Sequence, residues 1–241
     1  RSSNSQLLPR SIHISRVPKR TLACGSTAGY QDHPFKTAQV QSSRRRNIPA
    51  RSPITSLEVM PFSPSRVLEV GPYADFEFYS VHGEETSSYI QAVLNAVDVI
   101  YTSTLGIKLK VASPRVEKTI PGRRGSIDAN QLLESFRVTP FATSSSADAR
   151  HLFTGRELQG LTIGIAYVGA VCTAEGRYGV GLSYTVSTGL QPFLAAHEIA
   201  HNLSAVHDAD PRSIMNPAIT EANNRFTNKA ISDMHSFVAT T

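Results

Sequence analysis

The sequence from Thr188 to Asp208, TGLQPFLAAHEIAHNLSAVHD, contains three of the eight histidines of the chain. His197 and His201 stand four residues apart, and positions four apart lie one above the other on the same face of a helix. Both imidazoles can therefore point at one metal ion, and imidazole nitrogen is a good ligand for zinc. Glu198 follows His197 directly, so its carboxylate can reach the ion's surroundings without being a ligand. The spacing predicts a zinc site built on a helix.

A third ligand is predicted beyond the end of this helix. His207 lies six residues after His201, too far along to share the same helical face. The chain must therefore leave the helix near Ser204 and turn back to deliver the third imidazole. Three protein ligands with one open position are typical of a catalytic zinc site, whereas a structural site is closed by four ligands. The alternative is a core helix that carries histidines by chance.

The helix has predicted start signals, and a supporting turn follows the third histidine. Thr188 and Gln191 form a predicted capping box, and Pro192 falls in the first turn, where its missing N–H costs least. Downstream, the sequence SIMNP places Met215 eight residues after His207. We expect Met215 to lie beneath the three imidazoles as a hydrophobic floor, although a methionine in a loop is more often simple packing.

Length and charge divide the chain of 241 residues into two regions. Residues 1–64 contain ten Lys or Arg and two Asp or Glu, a net charge of +8, whereas residues 65–241 have a net charge of −3. The high isoelectric point is therefore poor evidence that the folded part binds nucleic acid. Two cysteines, Cys24 and Cys172, do not make a disulfide scaffold. No apolar run reaches the roughly 20 residues of a membrane-spanning helix.

The pattern of apolar residues predicts an α/β fold with a mostly parallel sheet for residues 65–241. Residues 1–64 are rich in Ser, Arg and Pro and are predicted to be a basic, largely irregular extension, interpreted as a propeptide remnant or a linker. Helices are expected at 87–101, 128–136 and 228–238, in addition to the helix with the histidines. Strands are expected at 67–70, 76–79, 105–111, 150–153, 161–168 and 178–186.

The histidine segment and the SIMNP sequence resemble the metzincin clan of zinc endopeptidases. H-E-x-x-H with a third histidine is the clan's zinc motif, and Asp208 directly after that histidine is similar to the adamalysin, or reprolysin, branch. The segments HLFTGR at 151–156 and GIAYVG at 164–169 also resemble that branch. The resemblance implies a twisted five-stranded sheet above a cleft, a small C-terminal subdomain below it, one catalytic zinc ion and Glu198 as general base.

The same resemblance implies secretion and protein or peptide substrates that bind in an extended form along the edge strand of the sheet. Residues 178–184, including Tyr184, are the predicted edge. The sequence Pro217-Ala218-Ile219 is predicted to line the wall of the main specificity pocket. The clan usually has glycine where this chain has Ser204, and we expect a positive φ there, which costs a non-glycine residue roughly 1–2 kcal/mol.

Cys24 is a candidate latch, because in adamalysins a propeptide cysteine can occupy the open zinc position and keep the enzyme latent. A disulfide with Cys172 and a buried free thiol are the alternatives for this cysteine. For the whole chain, the alternative to a protease is a catalytically silent metzincin domain that binds other proteins. A third interpretation, a polyanion-binding protein acting through its arginine-rich arm, predicts affinity that falls with salt. The oligomeric state is not indicated by the sequence.

Overall fold

The computed structural model describes residues 11–17, 21–26, 66–119, 127–171, 178–182, 188–220 and 222–240, of which 11–17, 21–26 and 178–182 are described through their backbone alone. In these segments nine strands form one sheet around which the helices pack. The strands are β1 (Ser11–Val17), β2 (Thr21–Ser26), β3 (Arg66–Ala74), β4 (Ile107–Val111), β5 (Arg115–Val116), β6 (Ala149–Thr154), β7 (Thr162–Tyr167), β8 (Tyr178–Leu182) and β9 (Ala218–Ile219).

Six helices and one short 3₁₀ turn accompany these strands in the described part of the chain. They are α1 (Phe76–His82), α2 (Thr86–Leu105), α3 (Ala129–Arg137), α4 (Pro140–Ser144), α5 (Gln191–Asn202) and α6 (Asn228–Thr240), with the 3₁₀ turn at Gly83–Glu85. The predicted helices at 87–101, 128–136 and 228–238 are confirmed as α2, α3 and α6. In the described residues, no helix is both long and apolar enough to cross a membrane.

The central sheet has the predicted mixed α/β architecture. Its strands follow the order β4-β3-β6-β8-β7, and every neighbouring pair is parallel except β8 with β7, which are antiparallel. Strand β6 is buried along its whole length, as expected for a strand whose two faces are both covered. The mostly parallel five-stranded sheet that the sequence predicts is therefore confirmed.

Residues 76–79 were predicted as a strand, and this prediction is wrong because they begin helix α1. Asp75 caps that helix: its side chain accepts a hydrogen bond from the Phe78 N–H at 2.8 Å. Gly83 ends it with a positive φ of 55°. The apolar cluster favoured a strand, but the N-cap and C-cap residues on either side favour a helix and prevail.

Strand β8 lies inside the sheet, which corrects the prediction that residues 178–184 form its edge. Tyr178–Leu182 pairs with β6 on one side and with β7 on the other. The antiparallel strand β7 is instead the last strand of the central sheet. Tyr184 itself lies outside the described residues. Strand order depends on pairing between distant segments, which periodicity along the chain does not encode.

Two strands lie within the N-terminal region that was predicted to be largely irregular. Strand β1 pairs antiparallel with β7, and β2 pairs antiparallel with both β1 and β9. The backbone of residues 11–17 and 21–26 is therefore regular, while the other residues of 1–64 lie outside the described residues, so the largely irregular extension stays a prediction. The proposed domain boundary at residue 65 stays a prediction.

The hydrophobic core between the sheet and two helices fixes the position of α5. Helix α2 buries Ile90, Leu94 and Val97, which have no exposed surface. The buried Tyr101 hydroxyl donates a hydrogen bond of 2.8 Å to the carbonyl oxygen of Ala196 in α5. Because ten of the twelve residues of α5 are buried, the helix is held on every side and its histidines have defined directions.

Candidate metal centre and active site

Three imidazole nitrogens converge at the C-terminal end of α5. The Nε2 atoms of His197 and His201 are 2.8 Å apart, and each lies 3.2 Å from Nε2 of His207. In the described part of the chain, these three residues form the one group of His, Cys, Asp or Glu arranged to hold a metal ion. The predicted convergence of His207 on His197 and His201 is confirmed.

The second nitrogen of each helical histidine is bonded to a main-chain carbonyl. Nδ1 of His197 lies 2.5 Å from the oxygen of Ile214, and Nδ1 of His201 lies 2.8 Å from the oxygen of Ala205. A carbonyl oxygen can only accept, so each Nδ1 carries the hydrogen and donates it. The neutral imidazoles therefore direct Nε2 lone pairs at each other, and contacts of this type are typical behind metal-bound histidine.

These lone pairs need a positive charge between them, and a proton does not supply it at neutral pH. Burial lowers the pKa of His201 to about 3 and that of His207 to about 4, and it also lowers the pKa of His197. All three imidazoles are therefore neutral near pH 7, which is the form that binds metals. A shared metal ion is the cation that this arrangement fits.

The separations also match the size of a metal site. Ligands about 2.05 Å from a tetrahedral zinc ion stand roughly 3.3 Å from one another. Two of the three separations here are 3.2 Å and the third is 2.8 Å. An ion at the usual bond length from all three nitrogens therefore has a place in this site. Imidazole donors suit zinc, copper, iron and nickel, so the donor set alone does not choose among them.

The turn after α5 brings His207 back, and Ser204 makes it possible. Ser204 has a φ of 78°, the positive value that the sequence predicts, and no other non-glycine residue of the described chain has one. The Ser204 N–H donates to the His201 carbonyl at 2.8 Å, and the Ala205 N–H donates to the Ala200 carbonyl at 3.0 Å. This pair of bonds is a Schellman motif, which usually has glycine at the position of Ser204.

The segment after His207 is tied together by Asp208. Its carboxylate accepts hydrogen bonds of 2.8 Å from the hydroxyls of Ser213 and Thr227, and its N–H donates to the Met215 carbonyl at 3.0 Å. Met215 has no exposed surface and packs in the core that includes α5. Asp208 therefore connects the third ligand to the methionine turn and to the segment that starts α6.

Glu198 lies buried next to His197 in α5, and among the described residues its carboxylate has no hydrogen-bond partner. Burial raises the pKa of Glu198 well above the ordinary value for glutamate. A divalent ion nearby would lower the pKa of Glu198, since positive charge favours the ionised carboxylate. A carboxyl group whose proton affinity can be moved in this way suits proton transfer.

The start of α5 differs from the prediction. Leu190 is the N-cap and makes no side-chain cap, so Thr188 and Gln191 do not form a capping box. Pro192 does lie in the first turn, as predicted. The Gln191 side chain is buried, and within the part of the chain that the structure describes it has no hydrogen-bond partner. The sequence signature is present, but the helix begins two residues later than a cap at Thr188 requires.

The predicted substrate-binding residues lie in two places. Pro217 and Ala218 are partly buried and Ile219 is buried, and the last two form β9. Tyr184 and Cys172 lie outside the described residues. Cys24 lies in β2, where its backbone is paired with that of Ile14. The roles of these residues, and of Cys24 as a latch, stay predictions.

The structure adds main-chain groups that the sequence did not single out. The carbonyls of Ile214 and Ala205 orient two ligands, and the N–H groups of Gly169 and Ala170 donate to the carbonyls of His201 and Asn202 at 2.8 Å. The sequence contains no sign of the Ile214 and Ala205 carbonyl contacts, since every residue has a carbonyl group. Gly169 has a φ of 63°, and a glycine just after a predicted strand was the available sign of a special turn.

The fold and the three-histidine centre define a metallopeptidase-type domain with an adamalysin-like zinc motif. Residues 66–231 match the profile of metallo-peptidase family M12, which covers more than half of the chain. The chain therefore belongs to metallo-peptidase family M12 and contains a reprolysin-like domain of that family.

Known relatives agree with this assignment at low sequence identity. The chain is 26% identical over 149 residues to the zinc metalloproteinase-disintegrin-like brevilysin H2a of Gloydius brevicauda, an alignment covering 59% of this chain and 35% of the relative. It is 29% identical over 126 residues to disintegrin and metalloproteinase domain-containing protein 22 of Mus musculus, covering 51% of this chain and 14% of the relative. The chain thus spans about a third or less of the length of these relatives.

A solved structure supports the fold alone. The structure described as a chaperone-substrate complex aligns with a TM-score of 0.53 over 72% of this chain and 34% of the other, at 15% identity. Identity this low carries no information about activity.

Proposed function

We propose that this domain is a zinc-dependent endopeptidase, with His197, His201 and His207 as ligands of one catalytic ion. The single observation that supports it most is the convergence of three neutral Nε2 atoms at 2.8–3.2 Å, beside a buried glutamate. Zinc, when bound, polarises the substrate carbonyl and makes hydroxide available at neutral pH. Among the metals that imidazole suits, zinc is chosen because relatives in the family are named zinc metalloproteinases.

Glu198 is the proposed general base. Its carboxylate accepts a proton from the attacking water and later donates that proton to the nitrogen of the leaving amine. Peptide hydrolysis needs both transfers, because amide carbonyls are poor electrophiles and amines are poor leaving groups. The high proton affinity that burial gives Glu198 favours the state in which it carries the proton between the two steps.

The proposed substrates are peptides or proteins bound in extended form along β7. This strand is the last of the central sheet, and the Glu198 carboxylate lies against its middle residue Gly164. An added strand gains main-chain hydrogen bonds, and side-chain pockets then supply specificity. Pro217, Ala218 and Ile219 are proposed as the wall of the main pocket, since they follow the methionine turn directly.

The N-terminal region is proposed to keep the enzyme latent. Strand β1 is paired with β7 over Ser11–Ser15, which is the edge that an extended substrate needs, and β2 is paired with Ala218–Ile219. A segment in this position excludes the substrate whether or not Cys24 binds the metal. A secreted zymogen is the corresponding proposal for the whole protein, and it rests on the family resemblance.

Latency is tested by removing residues 1–64 and, separately, by the Cys24→Ser substitution, with folding verified by circular dichroism. If the strands alone block the edge, the deletion raises peptide cleavage and Cys24→Ser does not. If Cys24 is the latch, both changes raise it. Cleavage that is unchanged in both, in folded and metal-loaded protein, contradicts latency.

The proposed activity is tested on the purified chain and its truncated form with a library of unstructured peptides. Zinc-loaded protein is expected to cleave, metal-chelated protein to lose cleavage, and added zinc to restore it. Glu198→Gln is the matched control, because the amide keeps the shape and the zinc but cannot accept the proton. We expect cleavage by Glu198→Gln to fall by several orders of magnitude, at an unchanged ratio of zinc to protein. A zinc-loaded truncated form that cleaves no peptide would instead identify a silent binding domain.

A further inference from the structure

Gly164 in β7 leaves a space that the Glu198 carboxylate fills. A Cβ atom built on Gly164 would lie 2.2 Å from Oε1 of Glu198, 3.0 Å from its Cδ and 3.1 Å from Cδ1 of Leu194. Atoms that are not bonded rest about 3.5–4.0 Å apart. Any other residue at this position therefore overlaps the carboxylate where it now lies.

The need for glycine here is one of space and not of backbone conformation. Four glycines of the described chain have a positive φ, and Gly164 is not among them. It pairs with Gly181 of β8 in a regular antiparallel register, whereas the pairing with β1 shifts register just after Ile14, the partner of Gly164. A glycine inside a strand often marks a close approach of another group, and at Gly164 that group is a carboxylate.

Packing alone holds the carboxylate in this position. Both of its oxygens are buried and have no hydrogen-bond partner in the described structure. Leu194 lies one turn earlier on α5 and contacts the same space. Without hydrogen bonds to fix it, the direction of the Glu198 side chain depends on the shape of the recess that Gly164 leaves.

We propose that Gly164 is the positioning residue for Glu198. Because Gly164 has no side chain, the carboxylate can lie against β7, and this contact sets its distance from the three histidines. The catalytic part of this inference rests on the proposed function, whereas the contact itself does not. A methyl group at residue 164 would push the carboxylate out of its recess. A displacement of about 1 Å at a reacting group can cost on the order of a hundredfold in rate.

The contact is tested first on the metal-free chain of residues 1–241, by urea unfolding of a double-mutant cycle. Gly164→Ala is made in the parent and in Glu198→Ala, where the recess is vacated. We expect Gly164→Ala to lower the urea midpoint clearly in the parent and to leave it unchanged or raise it in Glu198→Ala. If Gly164→Ala folds only together with Glu198→Ala, the inference is equally supported. An equal loss in both backgrounds, or failure to fold in both, overturns it.

The catalytic role is tested with zinc-loaded protein. Gly164→Ala is expected to lower kcat about a hundredfold, with KM within about twofold and zinc content unchanged, and to add no further loss in Glu198→Gln. Gly189→Ala is the matched control, since a Cβ there meets no atom within 4 Å, and its kcat should equal the parent's. If the unfolding cycle shows that residues 164 and 198 are coupled but kcat of Gly164→Ala equals that of the parent, the positioning role is overturned. If the parent itself cleaves nothing, the proposed activity fails, while the unfolding cycle still decides the contact.

Discussion

The main-chain oxygen of Ile214 lies 2.5 Å from Nδ1 of His197, although 17 residues separate the two in sequence. The turn that contains Met215 thus sets the tautomer and ring direction of the first ligand. The metal centre is therefore not a property of α5 alone. It is complete only when the segment after His207 has folded against the helix.

Loss of His207 is expected to abolish the stabilisation that zinc gives. A ligand that binds only the folded state raises stability by RT ln(1 + [L]/Kd), which is about 2.7 kcal/mol when the ligand is at a hundred times Kd. The parent's melting temperature should therefore rise when zinc is added to the chelated protein. His207→Ala, measured by differential scanning fluorimetry, should show little or no rise.

His235→Ala is the control for that experiment. His235 lies on α6 outside the centre, and its Nε2 is 2.9 Å from the carbonyl oxygen of Leu105. This variant loses one imidazole but none of the proposed ligands. Its melting temperature should rise with zinc as much as the parent's does, and a missing rise would show that the response does not report on the three-histidine site.

Ser204→Gly is expected to raise the melting temperature. Ser204 has a φ of 78°, which costs a non-glycine residue roughly 1–2 kcal/mol, and glycine relieves this strain. The gain is reduced by the greater freedom of glycine in the unfolded chain, which costs about 0.4–1 kcal/mol. Thermal unfolding should show a small increase, with the cleavage of peptides retained.

The matched control is Ser145→Gly, because Ser145 has an ordinary φ of −72°. Glycine there adds freedom to the unfolded chain and removes the Oγ that accepts from the Ala147 N–H at 3.3 Å, without relieving strain. The melting temperature should therefore fall. If both variants shift the melting temperature in the same direction, backbone strain at Ser204 is not the cause.

Asp208→Ala is expected to destabilise the domain and to weaken zinc binding. The substitution leaves the hydroxyls of Ser213 and Thr227 without their acceptor, and each lost bond of a buried or partly buried group costs about 1–3 kcal/mol. Chemical unfolding and zinc titration measure the two effects. Asp210→Ala removes a partly exposed carboxylate that pairs with Arg225 and accepts from the Arg212 N–H, and it should cost less stability than Asp208→Ala.

Buried His151 is expected to make the protein less stable in acid. Burial lowers its pKa in the folded state to about 3, below the ordinary 6.5. As pH falls from 6.5 towards 3, the unfolded chain takes up a proton there and the folded chain does not, so stability present above pH 6.5 is lost. The loss is roughly 1.4 kcal/mol for each pH unit per group.

His151→Leu removes this contribution while keeping a side chain of similar size. As the pH is lowered from 6.5 to 4, the unfolding free energy of the metal-free variant should fall less steeply than that of the metal-free parent. The difference in slope corresponds to the uptake of about one proton fewer on unfolding. The three ligand histidines, which also have lowered pKa values, contribute to the slope of both proteins. Identical slopes would show that His151 is not buried in the neutral form.

Local sequence was sufficient to predict the centre itself. The shared face of His197 and His201 follows from their i, i+4 spacing, and the need for the chain to turn back near Ser204 follows from the position of His207. The positive φ at Ser204 was expected from the family resemblance, since the clan usually has glycine there. The main helices and the parallel sheet were predicted in the same way from periodicity. Each of these features is decided by residues close together in the chain.

The features that sequence did not predict depend on contacts between distant segments. The position of β8 inside the sheet depends on its pairing with β6, and the fit of Glu198 against Gly164 depends on how α5 packs on β7. The helix at Phe76 is a different kind of error. The sequence contains the cap residue Asp75, but the apolar cluster at 76–79 by itself favours a strand.

The loop after β7 is bonded to the end of helix α5, which contains two of the three histidines. The N–H groups of Gly169 and Ala170 are bonded to the last carbonyls of α5, and the Asn202 side-chain amide is bonded to the Tyr167 carbonyl. Strand β7 and helix α5 are therefore joined by hydrogen bonds at their C-terminal ends. If a peptide binds along β7 as proposed, we expect its affinity and that of the metal to be thermodynamically linked, each altering the other by the same factor.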